Sequence, residues 1–370
     1  MAKRFTHTTL KFLLGAALPL FLALLLNTAE GKAAEQATSR QAKAASGPCT
    51  NQEANQFWQR GRNVFSATGY ETPEIVAAAS RALTYFELAA EKDPGCAQAY
   101  LSLAQAEAEF PSWPGLPPKE RFEKMKVAAK KAIALQEDLA AAHTLLGVAE
   151  FNTWQWAQAE KEFKRAIALD PNDVRAHASY ARFLAALGHF DQAIVQIEQA
   201  RKLANGSPGL NVAAAEIYYW ARHYDQAIDL IRPTLGADPI AHFLLGWAYV
   251  GKSRWQEAIG VFEQALPLSE RDAGVLMSLA YVYAAAGRRG EIPKLVEEAK
   301  EKTTRMYVPI YRIAAVYVAL GDKDQALEWL EKSYQDDFSW MVWLKVDPVM
   351  DPLRSEPRFQ NLLRRMNFPQ

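Results

Sequence analysis

The sequence predicts an all-α superhelical solenoid of about eight helix-turn-helix units, closed at its C-terminus by a capping helix. The first observation is an internal repeat, because residues 140–173 match residues 174–207 at a shift of 34. Small residues then fall on small ones and large apolar residues on large ones: Gly147 on Ala181, Trp156 on Phe190, Ala159 on Ala193, Phe163 on Ile197 and Ala166 on Ala200. The second observation is that two helical patterns fill each copy, which is typical of stacked helical hairpins.

The N-terminus has the pattern of a targeting segment. An apolar run covers residues 12–26. The positive charges that precede it are Lys3, Arg4 and Lys11. A run of 15 residues is short for a spanning helix, which needs about 20, and it fits a signal peptide. We predict a signal peptide over 1–33, cleavage before Ala34, a flexible linker over 34–50, and export to the periplasm. The alternative is an inner-membrane anchor formed by residues 12–26.

The chain has two cysteines, Cys49 and Cys96. In an exported protein such a pair suggests a disulfide. Each lies just before the first helix of a unit, and the two units are adjacent. The alternative is two unpaired thiols that lie too far apart to bridge, and the sequence leaves both open.

The repeat divides residues 51–337 into eight units. Their approximate bounds are 54–96, 97–139, 140–173, 174–207, 208–238, 239–272, 273–306 and 307–337. The first two units are longer and carry extra residues between their helices, around 66–73 and 110–119. From the third unit on, the step is 34, except for a step of 31 from Ala227 to Ala258.

Each unit from the third on repeats one packing pattern. The second helices carry Ala159/Phe163/Ala166, Ala193/Ile197/Ala200, Ala227/Ile231/Thr234, Ala258/Phe262/Ala265, Ile292/Val296/Ala299 and Ala326/Leu330/Ser333. The first helices carry small residues in matching places: Gly147, Ala181, Ala215, Gly246, Ala280 and Ala314. Small residues on one helix face let two helices cross closely. This pattern and its period resemble those of the tetratricopeptide repeat (TPR) family.

The tail over 338–370 departs from the repeat, and we predict that it caps the array, as solenoids require. Ser355 is a suitable N-cap for a last helix. The apolar face of that helix carries Phe359, Leu362, Leu363 and Met366. The runs 344–366 and 154–163 also resemble the TPR regions of bacterial signalling and regulatory proteins, which are fused to winged-helix, kinase or cyclase domains. Here a signal segment stands in their place, so a direct transcriptional or kinase role is not expected.

No pattern in the sequence indicates chemistry. His143 and His177 are 34 residues apart, and His242 holds the same place in its unit. Equivalent places on stacked helices lie about 8–10 Å apart, whereas zinc ligands lie about 2 Å from the metal. Phosphate-binding loops, nucleophile elbows and metalloprotease motifs are not found in the sequence. We therefore predict no metal, no cofactor and no enzymatic activity.

The TPR resemblance implies a concave wall, formed by the first helices, that binds a protein or peptide. The side chains assigned to this wall are Phe151, Arg175, Arg182, Glu216, Tyr219, Trp220, Phe243, Trp247, Met277, Tyr281, Tyr311 and Arg312. The Lys/Asn/Arg clamp of TPR domains that grip peptide C-termini is replaced here by Leu101, Thr144, Val148 and Ala178. An aromatic groove suits a helix or an apolar extended segment. The alternatives are that these aromatics only pack helix on helix, or that the tail covers them.

These observations favour an exported, non-enzymatic TPR scaffold or adaptor that binds a protein or peptide segment in its groove. Lys+Arg and Asp+Glu both number 42, so the formal net charge is zero and no nucleic-acid partner is expected. Membrane contact is expected only through the N-terminal segment if it is not cleaved. The alternative is a sensory or regulatory envelope module that binds a small ligand or transmits to a membrane partner.

Overall fold

The computed structural model describes residues 49–67, 74–109, 118–236, 239–269, 271–303, 310–336 and 338–369. The predicted signal peptide, most of the predicted linker and much of both long loops lie outside these residues. Within them the chain is helical and has no β-strand. None of the helices in these ranges is long and apolar enough to cross a membrane.

Sixteen helices of the described residues form eight consecutive hairpins, one for each predicted unit. The pairs are α1 (Gln52–Ala67) and α2 (Glu74–Lys92), α3 (Ala97–Glu109) and α4 (Pro118–Leu135), α5 (Ala140–Asn152) and α6 (Trp156–Leu169), α7 (Val174–Ala186) and α8 (Phe190–Leu203), α9 (Pro208–Trp220) and α10 (Tyr224–Ile231), α11 (Pro239–Gly251) and α12 (Trp255–Leu268), α13 (Ala273–Ala285) and α14 (Ile292–Thr303), and α15 (Ile310–Leu320) and α16 (Lys323–Asp336). Each hairpin packs on the next. The predicted solenoid of about eight helix-turn-helix units is confirmed.

Glycine lies where the two helices of a unit cross most closely. A Cβ atom added to Gly246 would lie 2.5 Å from the Phe262 ring of the second helix. One added to Gly147 would lie 2.9 Å from Phe163. Carbon atoms in contact prefer about 3.5–4.0 Å. The small residue of the first helix and the large residue of the second therefore interlock, which is the physical basis of the repeat.

The turn inside a unit also repeats its backbone conformation. One residue with a left-handed conformation recurs at Trp154 (φ 60°), Gly188 (84°), Arg222 (63°), Ser253 (55°), Gly287 (77°) and Gly321 (81°). The step between these residues is 34, except for 31 from Arg222 to Ser253. The turns thus keep the register of the sequence repeat through the one shortened unit.

The histidines in repeat register have a structural role. His143 Nδ1 lies 2.5 Å from Glu162 Oε2, and His177 Nδ1 lies 2.6 Å from Gln196 Oε1 on the next second helix. The other ring nitrogen of each histidine lies 2.9 and 3.0 Å from a carbonyl oxygen of the preceding turn. Each ring therefore joins the turn before its helix to the second helix of the same unit.

Residues 49–51, just before α1, are bonded to the turn between the first two units. Cys49 and Cys96 form a disulfide, with their Cα atoms 4.8 Å apart. Asp93 accepts hydrogen bonds from the Asn51 N–H at 3.1 Å and the Thr50 hydroxyl at 2.9 Å, and these lower the pKa of Asp93. The other fully buried residues of this small cluster are all alanines: Ala54, Ala89, Ala90 and Ala99. Four larger side chains are half-buried against this cluster together with the disulfide: Phe57, Trp58, Tyr100 and Leu103.

The tail forms α17 (Phe338–Met341), a 3₁₀ helix (Pro348–Leu353) and α18 (Pro357–Arg365). α18 packs beside α16 where the second helix of a ninth unit would lie. Two ion pairs, each between residues 34 apart, mark this register: Arg358 with Asp324 at 3.5 Å, and Arg365 with Glu331 at 2.7 Å. The predicted C-terminal capping helix is therefore present.

The start of α18 differs from the prediction. Ser355 does not cap this helix, because Glu356 occupies the cap position and no side chain accepts a capping hydrogen bond. Pro357 at the first position supplies a fixed φ that suits a helix start. Of the predicted apolar face, Phe359, Leu362 and Met366 are buried and Leu363 is half-buried.

Candidate functional site: the concave wall

All twelve predicted groove residues lie on first helices, from α5 to α15, and most are buried. Ten have at most 4% of their surface exposed: Phe151, Arg182, Glu216, Tyr219, Trp220, Phe243, Trp247, Met277, Tyr311 and Arg312. Arg175 and Tyr281 are half-buried. The residues packed against this wall belong to the chain's own tail.

Trp343 is at the centre of this contact. Its ring stacks on Trp220 with the ring centres 4.6 Å apart and the planes 11° apart. The Arg182 guanidinium lies 5.4 Å from the centre of the Trp343 ring, and Phe151 meets the ring edge-on at 6.5 Å. One tail tryptophan therefore contacts the first helices of units three, four and five.

Trp340 makes a second contact of the same kind. The Arg312 guanidinium lies 4.2 Å from the centre of the Trp340 ring and 4.5 Å from that of Trp247. A cation–π contact is worth about 2 kcal/mol or more when water is excluded. Burial lowers the pKa of Arg312, and nearby Asp347 opposes that shift. Trp340 also stacks on Tyr311, with the ring centres 6.5 Å apart. The tail thus places a tryptophan against an arginine and an aromatic ring at two points on the wall.

A buried ion pair lies behind Trp343. Arg182 Nη1 is 2.8 Å from Glu216 Oε2, and both side chains are almost fully buried. Burial raises the pKa of Glu216, and the charge of Arg182 opposes that shift. Removing one partner of such a pair would leave an uncompensated charge, at a cost of about 3–5 kcal/mol. The pair joins units four and five, and its polar atoms are not available to a ligand.

Asp347 fixes the tail where it leaves the tryptophans. Its carboxylate accepts hydrogen bonds from the Tyr311 hydroxyl and the Val349 N–H, both at 2.9 Å. Burial raises the pKa of Asp347, and Arg312 is the largest opposing influence. The hydrogen bond from Val349 caps the 3₁₀ helix. The Asp347 carboxylate therefore lies where the segment that carries Trp340 and Trp343 ends and the 3₁₀ helix begins.

The end of the tail closes the superhelix. The Trp156 indole N–H donates to the Met366 carbonyl at 2.8 Å, and the Phe368 ring stacks on Trp156 at 4.5 Å. Trp154, in the turn of unit three, stacks on Tyr334 of α16 at 5.1 Å. α17 also packs on α4. The eighth unit and the tail therefore contact units two and three.

The occupant of the predicted groove in this structure is thus the tail, one of the alternatives for these aromatics. Twelve large apolar tail residues are buried: Trp340, Met341, Val342, Trp343, Leu344, Val346, Val349, Met350, Leu353, Phe359, Leu362 and Met366. Exposing such a side chain costs about 1.5–3 kcal/mol. A partner in the groove would have to displace a segment that is part of the core, because ten of the twelve predicted residues are buried in this state.

The N-terminal end of the same wall has a different character. On α1, Trp58 and Phe65 are half-buried and Arg62 is exposed. The Arg62 guanidinium lies 5.0 Å from the centre of the Trp58 ring, whose N–H donates to the Ser102 hydroxyl at 3.0 Å. Gln98, Gln105 and Val148 on the next first helices are also half-buried. The predicted groove did not include these residues, although the offsets from Gly61 point to Trp58, Arg62 and Phe65.

The described residues hold no cluster of three or more His, Cys, Asp or Glu side chains that could bind a metal ion. Paired helices in a 34-residue register, with a wall of first helices, define the class of this protein: it is a TPR protein. Family models described as "Tetratricopeptide repeat" match residues 154–204 and 221–344. No protein with a curated description matches the chain in sequence.

Two solved structures illustrate the likeness in fold. The chain is similar to a protein of the APC/C hetero-tetramer Cut9-Hcn1, with 15% identity and a TM-score of 0.52 over 94% of this chain and 62% of that one. It is also similar to a tetratricopeptide repeat protein from Parabacteroides merdae, with 10% identity and a TM-score of 0.52 over 76% of this chain and 98% of that one. At these identities the comparison concerns the fold. The likeness to TPR regions of bacterial signalling proteins stays a prediction.

Proposed function

We propose that this chain is an exported, non-enzymatic scaffold that binds another protein through the uncovered part of its concave wall. TPR arrays generally mediate protein–protein interactions, and that class supports a protein partner. The observation that carries the proposal is the contrast along the wall. The tail fills it from unit three to unit eight, whereas Trp58, Arg62 and Phe65 on α1 keep exposed surface.

Export is supported by the charged N-terminus and short apolar run, and by the disulfide, which forms in oxidising compartments. N-terminal sequencing of protein from the native host should begin near Ala34, in an envelope fraction. Protein that starts at Met1 and stays in the membrane would support an anchor formed by residues 12–26 instead. Protein that starts at Met1 in the cytoplasm would contradict export.

Partner binding is tested by site-specific photo-crosslinking in intact cells. A photoreactive residue at Gln105 lies on the uncovered wall, and one at Val195 lies on the outer face of α8, where 65% of that side chain is exposed. We expect one protein to be crosslinked from position 105 and not from position 195, and to be displaced by excess purified chain. A small-molecule ligand without any crosslinked protein would favour the sensory alternative and contradict the scaffold.

A further inference from the structure

The tail shows what kind of side chain this wall binds. At each of two points an aromatic ring of the tail lies against an arginine of the first helices, and a tryptophan of the wall takes part in the same cluster. Trp343 lies against Arg182 and Trp220. Trp340 lies against Arg312, and Arg312 also lies over the ring of Trp247. The arginine presents a flat cation and the tryptophan a flat apolar surface, which together suit another aromatic ring.

Unit one carries an arginine and a tryptophan at the end of the wall that the tail does not cover. Arg62 directly follows the crossing residue Gly61, just as Arg182 directly follows the crossing residue Ala181. The crossing at Gly61 is tight, since a Cβ atom there would lie 2.5 Å from Phe86. Arg62 therefore holds in its helix the place that Arg182 holds in unit four.

The geometry of this pair is fixed before any partner arrives. The Trp58 indole N–H donates to Ser102 of the next first helix at 3.0 Å, which sets the ring orientation. Arg62 lies over that ring at 5.0 Å and remains exposed. Gln98 and Gln105 lie on the same helix as Ser102, are half-buried and carry amide groups that can hydrogen-bond to the backbone of a bound segment.

We propose that Trp58 and Arg62 form a binding subsite for an aromatic side chain, above all tryptophan, carried by a segment of the protein partner. The inference rests on the proposed scaffold function and names the chemistry of its partner. It follows from continuity: one wall binds aromatic rings of the tail at Arg182 and Arg312, and an arginine with a tryptophan also lies at the end of the wall that the tail does not cover. The segment that fits there resembles residues 340–347 of the tail.

The test uses the oxidised full chain and a synthetic peptide of residues 340–347 with a photoreactive group at its N-terminus. We expect the peptide to bind and to crosslink to α1 or α3. Arg62→Ala should weaken binding between about two- and thirtyfold, the range that exposed and desolvated cation–π contacts span. Arg62→Lys keeps the charge but not the planar guanidinium, so it should lose less affinity for the peptide than Arg62→Ala does. A peptide with alanine in place of both tryptophans should not bind.

Arg60→Ala is the matched control. Arg60 is exposed on the same helix, and its guanidinium lies 5.9 Å from the centre of the Phe57 ring. Equal affinity of the chain and Arg62→Ala, or an equal loss in Arg60→Ala, would overturn the proposal. So would crosslinks confined to α9 or α11, which would mean that the peptide exchanges with the tail.

These results are separable from the proposed function. Peptide binding at Arg62 without a crosslinked cellular protein would keep the subsite and reject the scaffold. A cellular protein captured from Gln105 with the same yield in Arg62→Ala would keep the scaffold and reject the subsite.

Discussion

At the scale of the residue, replacing glycine by alanine should change stability in opposite directions at Gly246 and Gly260. Both are helical, but a Cβ atom on Gly246 would lie 2.5 Å from Phe262, whereas one on Gly260 would meet nothing within 4 Å. Gly246→Ala should lower the free energy of unfolding, because overpacking typically costs about 1–3 kcal/mol. Gly260→Ala should raise it by up to about 1 kcal/mol through helix propensity. Urea unfolding of the two variants checks the sign, and equal effects would show that the crossing is not at Gly246.

Asp347 and Asp93 should respond to pH in opposite directions. Burial raises the pKa of Asp347, so the folded state binds this proton more tightly than the unfolded chain does. Relative to Asp347→Asn, the native chain should therefore gain stability as pH falls from the raised pKa towards 3.8. Hydrogen bonds lower the pKa of Asp93. Relative to Asp93→Asn, the native chain should lose stability as pH falls from about 3.8 towards the lowered pKa.

Urea unfolding at a series of pH values measures both differences. Each variant shares every other titrating group with the native chain, so their contributions cancel. A stability difference between the chain and Asp347→Asn that is flat with pH would contradict a buried carboxylate in this position.

At the scale of the element, the first unit depends on its disulfide. The bond closes a loop with a sequence separation of 47, which corresponds to about 4 kcal/mol of stabilisation. A dithiol reductant that forms its own cyclic disulfide leaves Cys49 and Cys96 as thiols. Amide hydrogen exchange should then speed up in α1 and α2, while α7 and α8 stay protected. A Cys49→Ser, Cys96→Ser double variant should behave alike with and without reductant.

The helices and their register could be predicted because their causes are local. The 34-residue step depends on one small residue per first helix and one large residue per second helix, and the 31-residue step reappears in the turns at Arg222 and Ser253. Ser355 was misassigned because Glu356 and Pro357 start α18 one residue later.

The covering of the groove could not be predicted in the same way. Trp220 and Trp247 are large, apolar and on the concave side whether a partner or the tail lies on them. The deciding contacts join residues far apart in sequence, such as Trp156 with Met366, 210 residues away. No periodic pattern spans such a distance. The tail's apolar run indicated burial, but not the surface against which it is buried.

At the scale of the whole molecule, the tail changes how the array should unfold. In an open solenoid each unit contacts only its neighbours, so stability is a sum of local terms. Here Trp343 contacts units three to five, while Trp340 lies against Arg312 of unit eight. Trp154 and Tyr334 join units three and eight directly. Units three to eight are therefore linked to one another through the tail, and we expect them to unfold together.

Trp343→Ala tests this closure. The substitution leaves a cavity among Trp220, Phe151 and Arg182, and large aromatic-to-alanine changes in a core cost about 3–5 kcal/mol. In the native chain, the slowest amides of α5 and α15 should exchange with the same free energy of opening. In Trp343→Ala those two values should fall and separate, because each end of the array then opens without the other. Val195→Ala, on the exposed outer face, should leave both unchanged. If the two ends already exchange independently in the native chain, the tail covers the wall without coupling its ends. In that case displacement of the tail by a partner would be much less costly than the closed structure implies.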